Sequence, residues 1–168
     1  MTQVKVMSEL LVPYMIYRHV IGNSPTTDTY DDRLLWQKIG YLSQQMGVPL
    51  DEFNFNWYLA GPYSSSYTDV LYGIKDNVGT VSNQANEFTL NPGVKQKLNV
   101  LKELVNKCPE DMTAAKWSEL LASIHYLSKN GARTKEQTIK KLLRLKPFFN
   151  NLRVNNYAWS LLENSSLL

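Results

Sequence analysis

The sequence predicts a single α+β domain, mostly helical, with a small antiparallel β component arranged as a winged-helix-like hairpin. Three observations predict it. Six segments place apolar residues three and four apart, the spacing of one helix face. One segment, FNFNWYL, alternates apolar and polar residues without a fault. No linker, repeat or low-complexity tract divides the 168 residues, so residues 1–168 are expected to fold around one core.

The first segment, VMSELLVPYMIYRHVIGN, carries a stripe of Leu11, Met15, Ile16 and Val20. Pro13 should start or kink that helix because it lacks the donor an interior turn needs, and Gly22-Asn23 should end it. Asp31 or Asp32 is expected to cap a second helix with Leu35, Ile39, Leu42 and Met46 on one face. Gly47 is placed as its C-terminal cap, and Pro49 prevents continuation. In the strand that follows, Phe53, Phe55, Trp57 and Leu59 point one way, and Asn54, Asn56 and Tyr58 the other.

After the turn Ala60-Gly61-Pro62, a short helix is expected from about Ser66 to Gly73, with Ser66 as N-cap and Asp69 reaching back. Val78–Ser82 and Glu87–Leu90 read as two short strands joined by NQAN, a small hairpin. Asn91-Pro92 opens the next helix as cap and N1 proline, with a stripe of Val94, Leu98, Leu101 and Val105 closed by Pro109. TAAKWSELLASIHYLSKNG then presents Trp117, Leu120, Leu121, Ile124 and Leu127. TKEQTIKKLLRLKP has the capping-box spacing of Thr134 and Gln137, and VNNYAWSLLEN presents Val154, Tyr157, Ala158, Leu161 and Leu162.

Composition narrows the function classes. Hydrophobic residues at 43% and charged residues at 20% describe a globular chain. No apolar run approaches the roughly 20 residues that span a bilayer, and no signal-peptide pattern is present. With one cysteine, Cys108, the chain needs no oxidising compartment. A cytoplasmic protein with no membrane partner is expected. The net charge of +3 hides an asymmetry: residues 1–91 carry five Lys or Arg against nine Asp or Glu, residues 92–168 thirteen against six. A basic half suits nucleic acid or an acidic protein surface.

Catalytic motifs are weak. The two histidines, His19 and His125, stand far apart, and no C-x-x-C or H-x-x-x-H spacing occurs, so neither metal nor cofactor is expected. Ser64, Ser65 and Ser66 follow G-P-Y, whereas a nucleophile elbow needs flanking glycines. A phosphate loop needs several glycines and a lysine, and here Pro62 removes an amide. A hydrolase built on His125 and the serines therefore ranks last. Two surfaces remain. Lys140, Lys141 and Arg144, with Gln137, gather opposite the apolar face of their helix. Tyr58, Tyr63, Tyr67 and Tyr72 crowd the stretch around WYLAGPYSSSY, and tyrosine beside Asn and Ser suits a protein-contact surface.

The segments LLWQKIGYLSQQMG, FNFNWYLAGPYSSSYTDVL, WSELLASIHYLSKNG and KLLRLKPFF occur in an order that resembles the YwgA-like family of small prokaryotic proteins, over about residues 34–162. That family shows L-Q-K-x-x-Y-L, W-Y-x-x-G-P-Y-S, L-A-x-I-H-Y-L and K-x-L-K-P-x-F patterns, of which the W-Y-x-x-G-P-Y-S and I-H-Y-L stretches are the more specific. More distantly the chain resembles the Panacea (SocA-like) antitoxin domain. That resemblance implies neutralisation of a toxin by direct contact, in mobile or defence loci. Matched positions are Gln37, Lys38, Tyr41, Trp57, Tyr58, Gly61, Pro62, Tyr63, Ser64, His125 and Tyr126. Trp36 stands where the family has a smaller apolar residue, and the segment after Phe149 is asparagine-rich rather than acidic.

The expected function is that of a non-enzymatic binding module, antitoxin-like or phage-defence-associated, acting by protein–protein contact. Its partner would be a toxin or defence component, met through Tyr58, Gly61, Pro62, Tyr63, Ser64 and Tyr67 or through Lys140, Lys141 and Arg144. The alternative is a winged-helix-like nucleic-acid-binding regulator using the 78–90 hairpin and the same basic face. Neither reading sets the oligomeric state, and a homo-oligomer is compatible with both.

Overall fold

In a computed structural model, backbone is described for residues 2–132 and 134–168, and side chains from residue 8 onward. Among the described residues eight helices and one two-stranded antiparallel hairpin follow one another: α1 (Thr2–Ile21), α2 (Tyr30–Gln45), β1 (Asn56–Tyr58), β2 (Gly61–Tyr63), α3 (Ser65–Asp76), α4 (Val78–Ala85), α5 (Pro92–Asn106), α6 (Ala114–Lys129), α7 (Lys135–Leu145) and α8 (Leu152–Asn164). The domain is α+β and mostly helical.

The centre is made by α2 packed on α6. Residues Leu34–Ser43 of α2 and Trp117–His125 of α6 are buried around the whole helix circumference, so neither helix shows a simple amphipathic stripe. Helices α1, α3, α4 and α5 form one flank, with α1 touching all of the other three as well as α2. Helices α7 and α8 lie on α6, and the hairpin fits against α2 and α6 through β2.

Helix α1 runs through Pro13, which is buried inside it and does not start it. Helix α2 is capped by Thr29 rather than by either aspartate: its hydroxyl accepts from Asp32 N, and the Asp32 carboxylate accepts from Thr29 N. That reciprocal pair contributes about 1 kcal/mol. Gly47 ends the helix in the left-handed region (φ +92°), as its position predicts. Ser64, not Ser66, caps α3, accepting from Tyr67 N at 3.3 Å.

The hairpin is displaced from its expected place. Residues 78–85 form α4, and Glu87–Leu90 is not a strand. Val78, Val81 and Ala85 lie at i, i+3 and i+7. As a helix they turn Val81 and Ala85 into the core, whereas a strand would split Val78 and Val81 between two faces. Arg18 stabilises the arrangement by donating to Ala85 O and Asn86 Oδ1 at the end of α4. The β component is instead the pair β1–β2, registered Asn56↔Tyr63, Trp57↔Pro62 and Tyr58↔Gly61, and it precedes α3 rather than following it.

The alternation read from FNFNWYL holds as far as Trp57. Phe53 is buried, Phe55 and Trp57 half-buried, and Asn54, Asn56 and Tyr58 exposed. Leu59 breaks it, because the chain has already begun to turn. Beneath this segment Tyr67 stacks on Trp36 (centroids 4.6 Å apart, planes at 15°), and Trp36 Nε1 donates to Tyr67 O at 2.8 Å. Phe53 meets the Tyr67 ring edge-on. Gly40 permits the approach: a Cβ there would lie 2.2 Å from the Tyr67 ring. Such ring pairs add about 0.5–1.5 kcal/mol each beyond their burial.

Candidate functional site

The turn WYLAGPYSSSY is fixed from below by two side chains of α2. Gln37 Oε1 accepts from Ser64 N at 2.9 Å, while its Nε2 donates to Ser64 O at 2.8 Å and to Thr68 Oγ1 at 2.7 Å. Lys38 Nζ donates to Pro62 O at 2.5 Å. The Q-K pair of one motif thus holds the G-P-Y-S of the other. Gly61 sits in the left-handed region (φ +88°) against Ser123 of α6, where a Cβ would lie 2.6 Å from Ser123 Oγ.

A buried charge cluster completes the floor. Glu119 of α6, 2% exposed, pairs with Lys146 (Oε2, 2.7 Å) and Lys116 (Oε1, 3.2 Å). Lys146 also donates to Leu59 O at 3.0 Å, which ties the end of α7 and the middle of α6 to the hairpin tip. Burial, opposed by Glu119 and assisted by Lys146 and Lys116, pushes the Lys38 ammonium down to about 7. Three lysines therefore surround one carboxylate, and the cluster carries net positive charge.

Above this floor a cleft of about 300 Å³ opens between the hairpin, the start of α2 and the face of α3. Tyr30, Tyr58, Tyr63 and Tyr72 give it aromatic walls, and Leu59 stands at its rim. Tyr58 and Tyr63 lean on one another at 5.7 Å. Leu59 is 83% exposed and Tyr58 61%. The polar lining includes Arg33, which donates to Thr27 O at 2.7 Å, and Thr68, which donates to the Tyr63 oxygen at 3.1 Å.

The residues singled out in the aromatic turn divide into two groups. Tyr58 and Tyr63 face the cleft. Gly61, Pro62 and Ser64 are buried and serve the turn itself. Tyr67 is wholly buried (0%) between Trp36 and Phe53, so it offers no surface to a partner; burial raises its hydroxyl pKa far above the ordinary tyrosine value. Tyr72, named among the tyrosines that crowd this stretch of sequence, also lines the cleft, whereas Tyr30, Arg33 and Leu59 were not singled out as contact residues. Tyr72 stands i+4 from Thr68 on one face of α3.

Lys140, Lys141 and Arg144 do come together on α7, bordering a shallow depression with Gly131 and Gln137; Lys140 and Arg144 are exposed and Lys141 is half-buried. They lie on a different element from the cleft walls.

His125 is buried, and its Nδ1 lies 2.7 Å from the Tyr41 hydroxyl. Burial and Lys129, against a hydrogen bond to the Leu167 backbone, push the imidazole down to about 4. It is neutral near pH 7 and shares a hydrogen bond with the Tyr41 hydroxyl, joining α2, α6 and the carboxyl-terminal residues. Among the described residues no three His, Cys, Asp or Glu side chains gather as a metal site. None of the described helices is long and apolar enough to cross a membrane.

Comparison of the chain with protein-family models, curated proteins and solved structures finds no match in any of the three.

Proposed function

We propose that this chain is a non-enzymatic binding module that grips another protein through the tyrosine-walled cleft and its Leu59 rim. The observation that carries this reading is the exposure of Leu59 and Tyr58 on a turn whose backbone is held by Gln37, Lys38 and Lys146. A large apolar side chain presented on a rigid frame loses little conformational freedom when it is covered, which is how interface anchors gain their affinity. Phe148, two residues beyond Lys146, is a further exposed aromatic side chain (70%).

The resemblance to YwgA-like proteins and to Panacea antitoxin domains supports an antitoxin-like or defence-associated role for this contact, in the cytoplasm. The nucleic-acid alternative rests on Lys140, Lys141 and Arg144, and it lacks the wing it called for, since residues 78–85 are helical. Tyr67 of α3, the helix next to that segment, offers nothing to a nucleic acid either, being wholly buried.

Leu59→Asp tests the reading. The site is exposed, so unfolding stability should stay within about 0.5 kcal/mol of the parent. A partner retained by the immobilised parent chain should be lost, because a buried carboxylate would replace the anchor. Undiminished retention of that partner by Leu59→Asp would contradict the reading. A shift in sedimentation of the parent alone, abolished by Leu59→Asp, would make the partner a second copy of this chain.

A further inference from the structure

The chemistry of the cleft specifies more than an apolar anchor. The Gln37 amide has no freedom of orientation: Oε1 must accept from Ser64 N, so Nε2 must donate to Thr68 Oγ1. Thr68 in turn passes its own proton to the Tyr63 oxygen. The relay runs in one direction, and the Tyr63 proton at its end has no acceptor among the described residues. Arg33 spends a single donor on Thr27 O and forms no ion pair among the described residues. The cleft lining contains one exposed-side cation, Arg33, beside the buried Lys38 amine that donates to Pro62 O, and no carboxylate. Beneath it lies the net positive cluster of Lys38, Lys116 and Lys146 around Glu119.

We infer that the cleft recognises an acidic peptide segment of the partner protein, seating one aromatic or aliphatic side chain between the tyrosines and receiving an adjacent carboxylate on Tyr63 and Arg33. This rests on the protein-contact reading above and adds the chemistry of the partner. The tyrosine walls alone would also suit a cation, but Arg33 and the lysines below repel one. A volume of about 300 Å³ accommodates a single large side chain with its neighbouring acid, and not a folded element. A carboxylate that accepts from the Tyr63 hydroxyl and the Arg33 guanidinium makes charge-assisted bonds, roughly twice as strong as neutral ones.

Matched tetrapeptides provide the test, titrated into the full chain and followed by NMR: acetyl-Ala-Phe-Asp-Ala-amide, its Asn counterpart, and a version with Ala for Phe. The Asp peptide should bind about tenfold more tightly than the Asn peptide, with shifts confined to residues around Tyr30, Tyr58, Tyr63 and Tyr72. Loss of the Phe should weaken both. Tyr63→Phe, which removes the hydroxyl both as a donor to the peptide and as the acceptor from Thr68, and Arg33→Gln should each bring the Asp-to-Asn preference below about threefold. Equal binding of the Asp and Asn peptides in the cleft overturns the acidic specificity while leaving the cleft a docking surface. Absence of any tetrapeptide from the cleft at millimolar concentration also overturns it. The protein-contact reading falls separately, if Leu59→Asp keeps its partner.

Discussion

Glu119→Gln is expected to destabilise the fold by about 3–5 kcal/mol, measured by urea or thermal unfolding. The carboxylate is buried and is the one anion between Lys146 and Lys116, with Lys38 close enough to feel its charge. Glutamine keeps the volume and removes the charge, leaving lysines under the hairpin without compensation. Breaking one partner of a buried ion cluster costs more than the cluster contributes, because the remaining charges stay desolvated. The physical cause is separable: adding Lys146→Met to Glu119→Gln should recover part of the loss by removing a stranded ammonium. A loss below about 1 kcal/mol for Glu119→Gln would mean the lysines find water, and the hairpin floor would not be the rigid frame described.

Gly61→Ala should cost about 2–4 kcal/mol. Two effects add. An L-residue at φ +88° pays for the left-handed region, and the new methyl would lie 2.6 Å from Ser123 Oγ on the central helix. Ser123→Ala separates them. The Ser123 hydroxyl has no hydrogen-bond partner among the described residues, so its removal alone should cost little. In the double variant the overlap is relieved and the backbone penalty of about 1–2 kcal/mol remains. Additive losses would show that β2 does not press on α6 at this point.

Both substitutions act on contacts that sequence spacing could not reveal. Helix boundaries were readable because caps and glycines act locally: Gly47, Asn91-Pro92 and the Thr134–Gln137 capping box stand where the sequence places them. Thr29 displaced Asp31 and Asp32 as the α2 cap because any of three neighbouring oxygens could fill that role. VGTVSNQA is short, and a spacing of i, i+3 and i+7 over eight residues marks a helix only weakly; α1 and α3 supply the face that selects it.

The site was half visible. Tyr58 and Tyr63 could be picked out as aromatics on a turn, but Tyr67 looked equivalent until Trp36 covered it. Leu59 belonged by alternation to the buried face and is the most exposed large apolar residue described, since the chain reverses one residue earlier than the pattern assumes. Arg33 and Lys38 read as ordinary charges on a helix, and a wholly buried lysine runs against every composition rule. Gln37 and Ser64 stand 27 positions apart, and only the fold brings the two motifs into one structure.

A photo-crosslinking residue at position 59 tests the contact surface most directly, compared with the same residue at exposed position 96 on α5. The account predicts one discrete protein adduct from position 59, absent from position 96 and suppressed by excess unlabelled chain. Adducts of equal yield from both positions, or none from 59 while the partner remains bound, would contradict it.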